Sequence, residues 1–241
     1  SFIKENKYPI AVRSSSLLED SQYQPLAGTY ETIMLSNNSK SNKNRLNKLI
    51  EAIKIIYAST FKGEARTLLK NTAHRIEEEK MAILIQEVVG IKYASNRFYP
   101  TFSGVLQSIN YYPVSYMKRN EGVAYLALGF GRTIADGEKC LRISPKYPNI
   151  IPQFFSIKAT IQNSQNDFYA MNLKENKNNY QLNKFLLEDA EEDGALKWVG
   201  SSISKEDGTI KDSLAKSGTR IVSFSPILKW GNISFDKLAL E

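Results

Sequence analysis

Apolar residues alternate loosely from Tyr8 to Arg13 and give way to Ser14, Ser15 and Ser16, a pattern that predicts a strand ending at the serines. A second strand is predicted over 29–35, with Thr29, Glu31 and Ile33 on one face and Tyr30, Thr32 and Met34 on the other. The polar, turn-rich stretch SNNSKSNKNR (36–45) follows, and in it Ser41 or Asn42 is placed to cap a helix. Leu46, Leu49, Ile50, Ile53, Ile56 and Tyr57 then recur at three-and-four spacing, which predicts an amphipathic helix to about Phe61; residues 64–70 add a further helical piece. From Met81 the pattern changes. MAILIQEVV (81–89) reads as a buried strand interrupted by Gln86 and Glu87. Strands are also predicted at 97–109, 122–128, 139–144, 167–173 and 219–224, between clusters of Gly, Pro and Asn. LLEDAEEDGAL (186–196) predicts a short helix with an acidic face, ending near Gly194. Strands outnumber helices behind a helical front, so the expected class is α+β.

Composition narrows the function. At 241 residues and 42% hydrophobic content, the chain can build one large domain or two small ones. The single cysteine, Cys140, excludes an intrachain disulfide and fits a reducing, cytoplasmic setting. With one histidine beside it, a Cys/His zinc cluster cannot form inside this chain, and no metal site is expected. The net charge of +7 and a pI near 9.2 favour a polyanionic partner such as a nucleotide phosphate, although the lysines are scattered as on a merely solvated surface. No stretch approaches the roughly 18 apolar residues of a membrane-spanning helix, and no signal peptide is recognisable, so no membrane partner is expected. The terminal pair Leu240–Glu241 looks like a cloning scar, which would make residues 1–239 a piece cut from a longer protein.

Three stretches could carry chemistry. Arg13 is a permanent cation with a fork of donors suited to phosphate oxygens; the three serines add hydroxyls, and Gly28 lets a backbone amide approach closely. The same arginine could equally be tied in an ion pair with Glu19 or Asp20. Gln86, an amide in an apolar strand, needs partners, which a neighbouring loop or a planar base could supply. ALGFGRTIADGEK (127–139) has neither the third glycine of a dinucleotide fingerprint nor the Lys-Ser/Thr of a P-loop, and reads as a tight turn between strands. His74 lies in a polar connection and reads as a surface residue; no Gly-x-Ser-x-Gly elbow is present. The tyrosines of INYYPVSYMKR (109–119) could stack bases but sit beside Pro113 as in a packed turn, and no nucleic-acid partner is expected.

Together the stretches resemble a known family. VRSSSLLEDSQYQPLAGTYET (12–32) is similar to the arginine-serine motif in the nucleotide-binding domain of phosphoenolpyruvate synthase and pyruvate phosphate dikinase. AILIQEVV resembles the family's Val-Gln strand, FYPTFSGVLQSINYYP its Ser-Gly-Val strand, and LALGFGRTIADGE its Gly-Leu-Gly segment. These motifs stand in family order and cover about residues 9–145. The resemblance implies an ATP-grasp architecture, in which mixed and antiparallel sheets with flanking helices form two subdomains that close on MgATP. It implies a partial domain over 1–239, truncated at both ends, with a front piece of about 1–80 and a strand-rich piece of about 81–239. Arg13 would hold the nucleotide's phosphates, Gly28 and Thr32 would meet the phosphate tail, and Gln86 would stand near the adenine. In the full enzymes ATP phosphorylates a histidine on a swivelling domain, and a third domain passes the phosphoryl group to pyruvate. Those two domains would be partners supplied by the parent chain. The family's early lysine, its late Asp-x-Glu metal ligands and its Gln-x-Arg motif are not matched in these residues, so no catalytic residue is expected here. The phosphoryl acceptor stays open. A related dikinase acting on another acceptor, or a degenerate nucleotide-sensing module, would share the same motifs.

Overall fold

The computed structural model describes residues 2–16, 30–62, 80–114, 116–174, 180–204, 207–215 and 217–230. The expected strand 29–35, of which β2 (Thr32–Leu35) is described, pairs with β1 (Ile10–Ser16), which in turn pairs with β3 (Met81–Glu87). Both pairings are antiparallel and the order is β2-β1-β3. The chain divides into two compact units, and this sheet belongs to the first, residues 1–89 with 171–182.

One face of the sheet is apolar. Ile10, Val12, Ile33 and Leu35 are buried there against Leu49, Ala52 and Ile56 of α2 (Asn42–Ser59). Ser41 begins that helix as expected, its side chain accepting from the amide of Asn44 at 3.3 Å. Replacing Ser41 by alanine strands that amide and should cost about 1 kcal/mol in a denaturant titration. The buried arc of α2 differs from the expected stripe. Positions 45, 49, 52, 56 and 59 are buried, while Leu46, Ile50 and Tyr57 remain 41–48% exposed. The reason is Arg45, which lies 3% exposed on the packed side. Its guanidinium donates to the carbonyls of Ile3 (2.6 Å) and Asn6 (3.1 Å), closing the end of α1 (Phe2–Glu5), and to Asn42 Oδ1 at 2.7 Å. An arginine can be buried when carbonyls at a helix end take up its donors.

Residues 81–89 are not the buried strand that their composition suggests. Along β3 intermediate and exposed positions alternate, because one face packs on α2 and the other does not. The expected helical piece at 64–70 lies outside the described residues.

The second unit holds residues 90–170 and 183–241. Three small antiparallel sheets build it. One runs β10-β9-β5-β4, from Asn183–Leu186, Asp167–Asn172, Arg97–Tyr99 and Ile91–Lys92. The next runs β6-β7-β8, from Phe102–Gln107, Val123–Leu128 and Leu141–Ile143. The last runs β12-β11-β13, from Ile210–Lys211, Gly200–Ser204 and Gly218–Val222. The single strand expected over 97–109 is broken between Tyr99 and Phe102, where Pro100 can donate no ladder hydrogen bond. The expected strands near 122–128, 139–144, 167–173 and 219–224 are present within two residues at each end. β4, β10, β11 and β12 were not legible. β11 is GSSIS, and its buried hydroxyls replace an apolar pattern: Ser201 shares a hydrogen bond with Ser223 at 2.6 Å, and Ser202 donates to the Ser213 carbonyl at 2.7 Å.

The helix Leu187–Glu192 ends as expected before Gly194, whose φ is +75°. Part of its acidic face is docked on arginines. Asp189 and Asp193 receive Arg97 at 2.6 and 2.7 Å, and Glu191 receives Arg220 at 2.6 Å. The observed class is α+β, with several small antiparallel sheets and some helices.

Candidate functional site

The register of the first sheet decides which side chains share a face. Arg13 lies opposite Thr32 on one side and Leu84 on the other; Ala11 lies opposite Met34 and Gln86; Ser15 lies opposite Ala82. Side chains alternate along a strand, and directly paired residues point the same way. Arg13, Thr32, Gln86, Ser15 and Leu84 therefore stand on one face, opposite the face that packs on α2. Direct partners are about 5 Å apart and diagonal ones about 7–8 Å, within reach of a long side chain.

All four polar members of this face are exposed, and Leu84 is 44% exposed. Among the described residues the Arg13 side chain makes no ion pair or hydrogen bond. Glu19 and Asp20, its alternative partners, lie outside the described residues, as do Gly28 and His74. Of the three serines only Ser15 shares the arginine's side; Ser14 and Ser16 face the other way, and Ser16 is buried. A count by two along the strand carries that information already. Leu84 escaped the sequence reading because an apolar residue in an apolar strand gives no signal of its own.

The arrangement has two parts. Arg13, with the hydroxyls of Thr32 and Ser15 beside it, offers charged and neutral donors to an anion. Leu84, Ala11 and Met34 form an apolar platform, with the Gln86 amide at its edge to meet donors and acceptors. An anionic group attached to a flat apolar body suits such a face. Among the described residues no group of three or more His, Cys, Asp or Glu side chains stands where it could hold a metal ion. No helix among the described residues is long and apolar enough to cross a membrane.

The glycine segment 127–139 lies in the second unit. It leaves β7 through Gly129 (φ +78°), forms one turn of helix at Arg132–Ala135, and turns again at Gly137 (φ +69°) before β8. Arg132 pairs with Asp136 at 3.0 Å and lies 5.0 Å from the ring centre of Tyr169. Burial and a hydrogen bond to Glu138 push the Tyr169 phenol up from its ordinary pKa, so the ring carries no charge at neutral pH.

Comparison with known proteins bears on both units. The family model described as "Pyruvate phosphate dikinase, AMP/ATP-binding domain" matches residues 2–220. The chain is also similar to the uncharacterized phosphotransferase YvkC of Bacillus subtilis (strain 168), with 30% identity over 135 residues, or 56% of this chain. That stretch covers 14% of the relative's length, so the chain spans about one seventh of it. With nearly its whole described length inside the match, the chain belongs to the pyruvate phosphate dikinase AMP/ATP-binding domain family.

Proposed function

We propose that this chain is the ATP-binding portion of a phosphoenolpyruvate synthase-like phosphotransferase. The parent reaction would convert ATP, pyruvate and water to phosphoenolpyruvate, AMP and phosphate, by way of a phosphohistidine on another domain. The observation that carries the reading is the shared face of Arg13, Thr32 and Gln86, with Arg13 making no ion pair among the described residues. Arg13 and the Thr32 hydroxyl hold phosphate oxygens and the adenine lies over Leu84 toward Gln86; the resemblance assigns Gly28 to the same phosphate tail. Phosphoryl transfer depends on positioning and on neutralising charge spread over the phosphate oxygens, and this chain supplies part of each. Mg²⁺, when bound, would offset the charge of the phosphate oxygens; the family's late Asp-x-Glu ligands are not matched in these residues.

The 241-residue chain should bind MgATP weakly and turn nothing over. One charge-assisted contact contributes about 1.5–3 kcal/mol, so Arg13→Ala should weaken binding roughly 10- to 100-fold. Calorimetric titration with MgATP checks this. Micromolar affinity that Arg13→Ala leaves unchanged would place the nucleotide elsewhere and reject the assignment.

A further inference from the structure

The open side of the β6-β7-β8 sheet carries a cleft of about 570 Å³, a volume typical of small-molecule sites. Its floor follows from the register. Val105 lies opposite Tyr125, and Tyr125 opposite Arg142, so the three side chains stand in a row on one face. Ile134 and Ala135, from the glycine segment, and Lys139 just after the Gly137 turn form a wall. Every one of these residues belongs to the second unit.

The charge of the cleft is unbalanced. Arg142 gives one nitrogen to Asn110 Oδ1 (2.6 Å) and to the Tyr112 carbonyl (2.7 Å), neither of them an anion. Lys139 makes no ion pair among the described residues. The carboxylate in the lining, Glu138, is already engaged by Lys184 at 3.0 Å and by the Tyr169 hydroxyl at 2.9 Å. The Cys140 thiol adds no negative charge, because burial pushes it up from its ordinary pKa. What remains is an apolar, aromatic floor with two cations at its side.

We propose that this cleft binds a small planar acid: a flat apolar body lying on Tyr125 and Val105, with a single carboxylate, sulfonate or phosphate group held by Lys139 and Arg142. The body gains from ring packing and burial, and the acid from charge-assisted hydrogen bonds at the edge of an apolar surface. The site rests on none of the residues of the Arg13 face.

Fluorescence titration of the chain with 8-anilinonaphthalene-1-sulfonate, a flat apolar anion, tests the proposal against N-phenyl-1-naphthylamine, its uncharged counterpart. The anion should saturate one site and bind at least about tenfold tighter than the neutral probe. Lys139→Glu should weaken the anion by about tenfold or more, and Ala135→Trp should abolish its binding by filling the cleft. Both positions are exposed, and thermal melts verify that the variants fold. Should Ala135→Trp fail to fold, Lys139→Glu decides. Ile50→Ser, on the exposed apolar side of α2, should leave the titration unchanged, and excess MgATP should not displace the probe. Equal binding of both probes, indifference to Lys139→Glu, loss in Ile50→Ser, or displacement by MgATP would each overturn the proposal.

Discussion

Replacing Asp193 by alanine should destabilise the second unit by about 3–5 kcal/mol, the effect of removing one member of a buried ion pair. The Asp193 side chain is 3% exposed and that of Arg97 10%. One carboxylate accepts from Arg97 Nε (2.7 Å), Arg97 Nη2 (3.2 Å), the Ser95 hydroxyl (2.7 Å) and the Tyr99 hydroxyl (2.9 Å). Alanine leaves all these donors facing a void, and Asp189 can take up only part of the arginine's charge. Glu192 offers the control. It reaches the same arginine at 3.5 Å but is 76% exposed, and Glu192→Ala should change stability by less than about 0.5 kcal/mol. Urea denaturation curves of the two variants measure the contrast. The cluster also sets a pH dependence. Burial opposes ionisation of Asp193, but the hydrogen bonds from Arg97, Ser95 and Tyr99 outweigh it and hold the carboxyl below 3.8. A folded pKa below the unfolded one means that this stabilisation is complete above the unfolded value, about pH 4, and is lost as the pH falls through the folded one. Asp193→Asn should flatten that acid loss.

This network shows where the sequence stops being legible. Arg97 and Asp193 are 96 positions apart, and no local pattern links an arginine at the head of one strand to an aspartate beyond a distant helix. The acidic run 188–193 was legible as an acidic helix face, but charge alone does not reveal that two arginines dock on it. In α2 the cap and the period were readable, but the apolar residues outline a stripe wider than the buried arc. Arg45, polar by type, turned out to lie inside that arc because the end of α1 supplies its acceptors. β11 was hidden for the reverse reason, its buried Ser201 and Ser202 being satisfied by the Ser223 hydroxyl and the Ser213 carbonyl. The candidate site was more legible. A strand ending in Arg-Ser-Ser-Ser and a second strand through Thr32 fix two of its members, and period two then assigns their face. What sequence alone could not supply was the register that sets Gln86 and Leu84 beside them.

The glycines of the 127–139 segment should respond to the same substitution in three different ways. Gly129→Ala should cost about 2–5 kcal/mol, combining a left-handed backbone with overpacking. Its φ is +78°, and an added Cβ would stand 2.7 Å from the Tyr169 carbonyl oxygen and 2.9 Å from Phe168 Cδ2. The carbonyl cannot retreat cheaply, since it accepts the Phe130 amide at 3.0 Å and belongs to β9. Phe168 is fully buried and cannot swing aside. Gly137→Ala isolates the conformational cost, because its φ is +69° but nothing lies within 4 Å of the new methyl; about 1–2 kcal/mol is expected. Gly131 has an ordinary φ of −64° at the start of the helical turn, and its Cβ would meet Ser103 Oγ at 3.6 Å, a normal contact. Gly131→Ala should be neutral or stabilise by about 0.4–1 kcal/mol, by narrowing the unfolded chain's freedom. Thermal or urea denaturation of the three variants gives the order directly. A Gly129→Ala variant as stable as Gly137→Ala would show that β9 does not press against this turn in solution. The tight turn read from the sequence would then owe its glycine to backbone conformation alone.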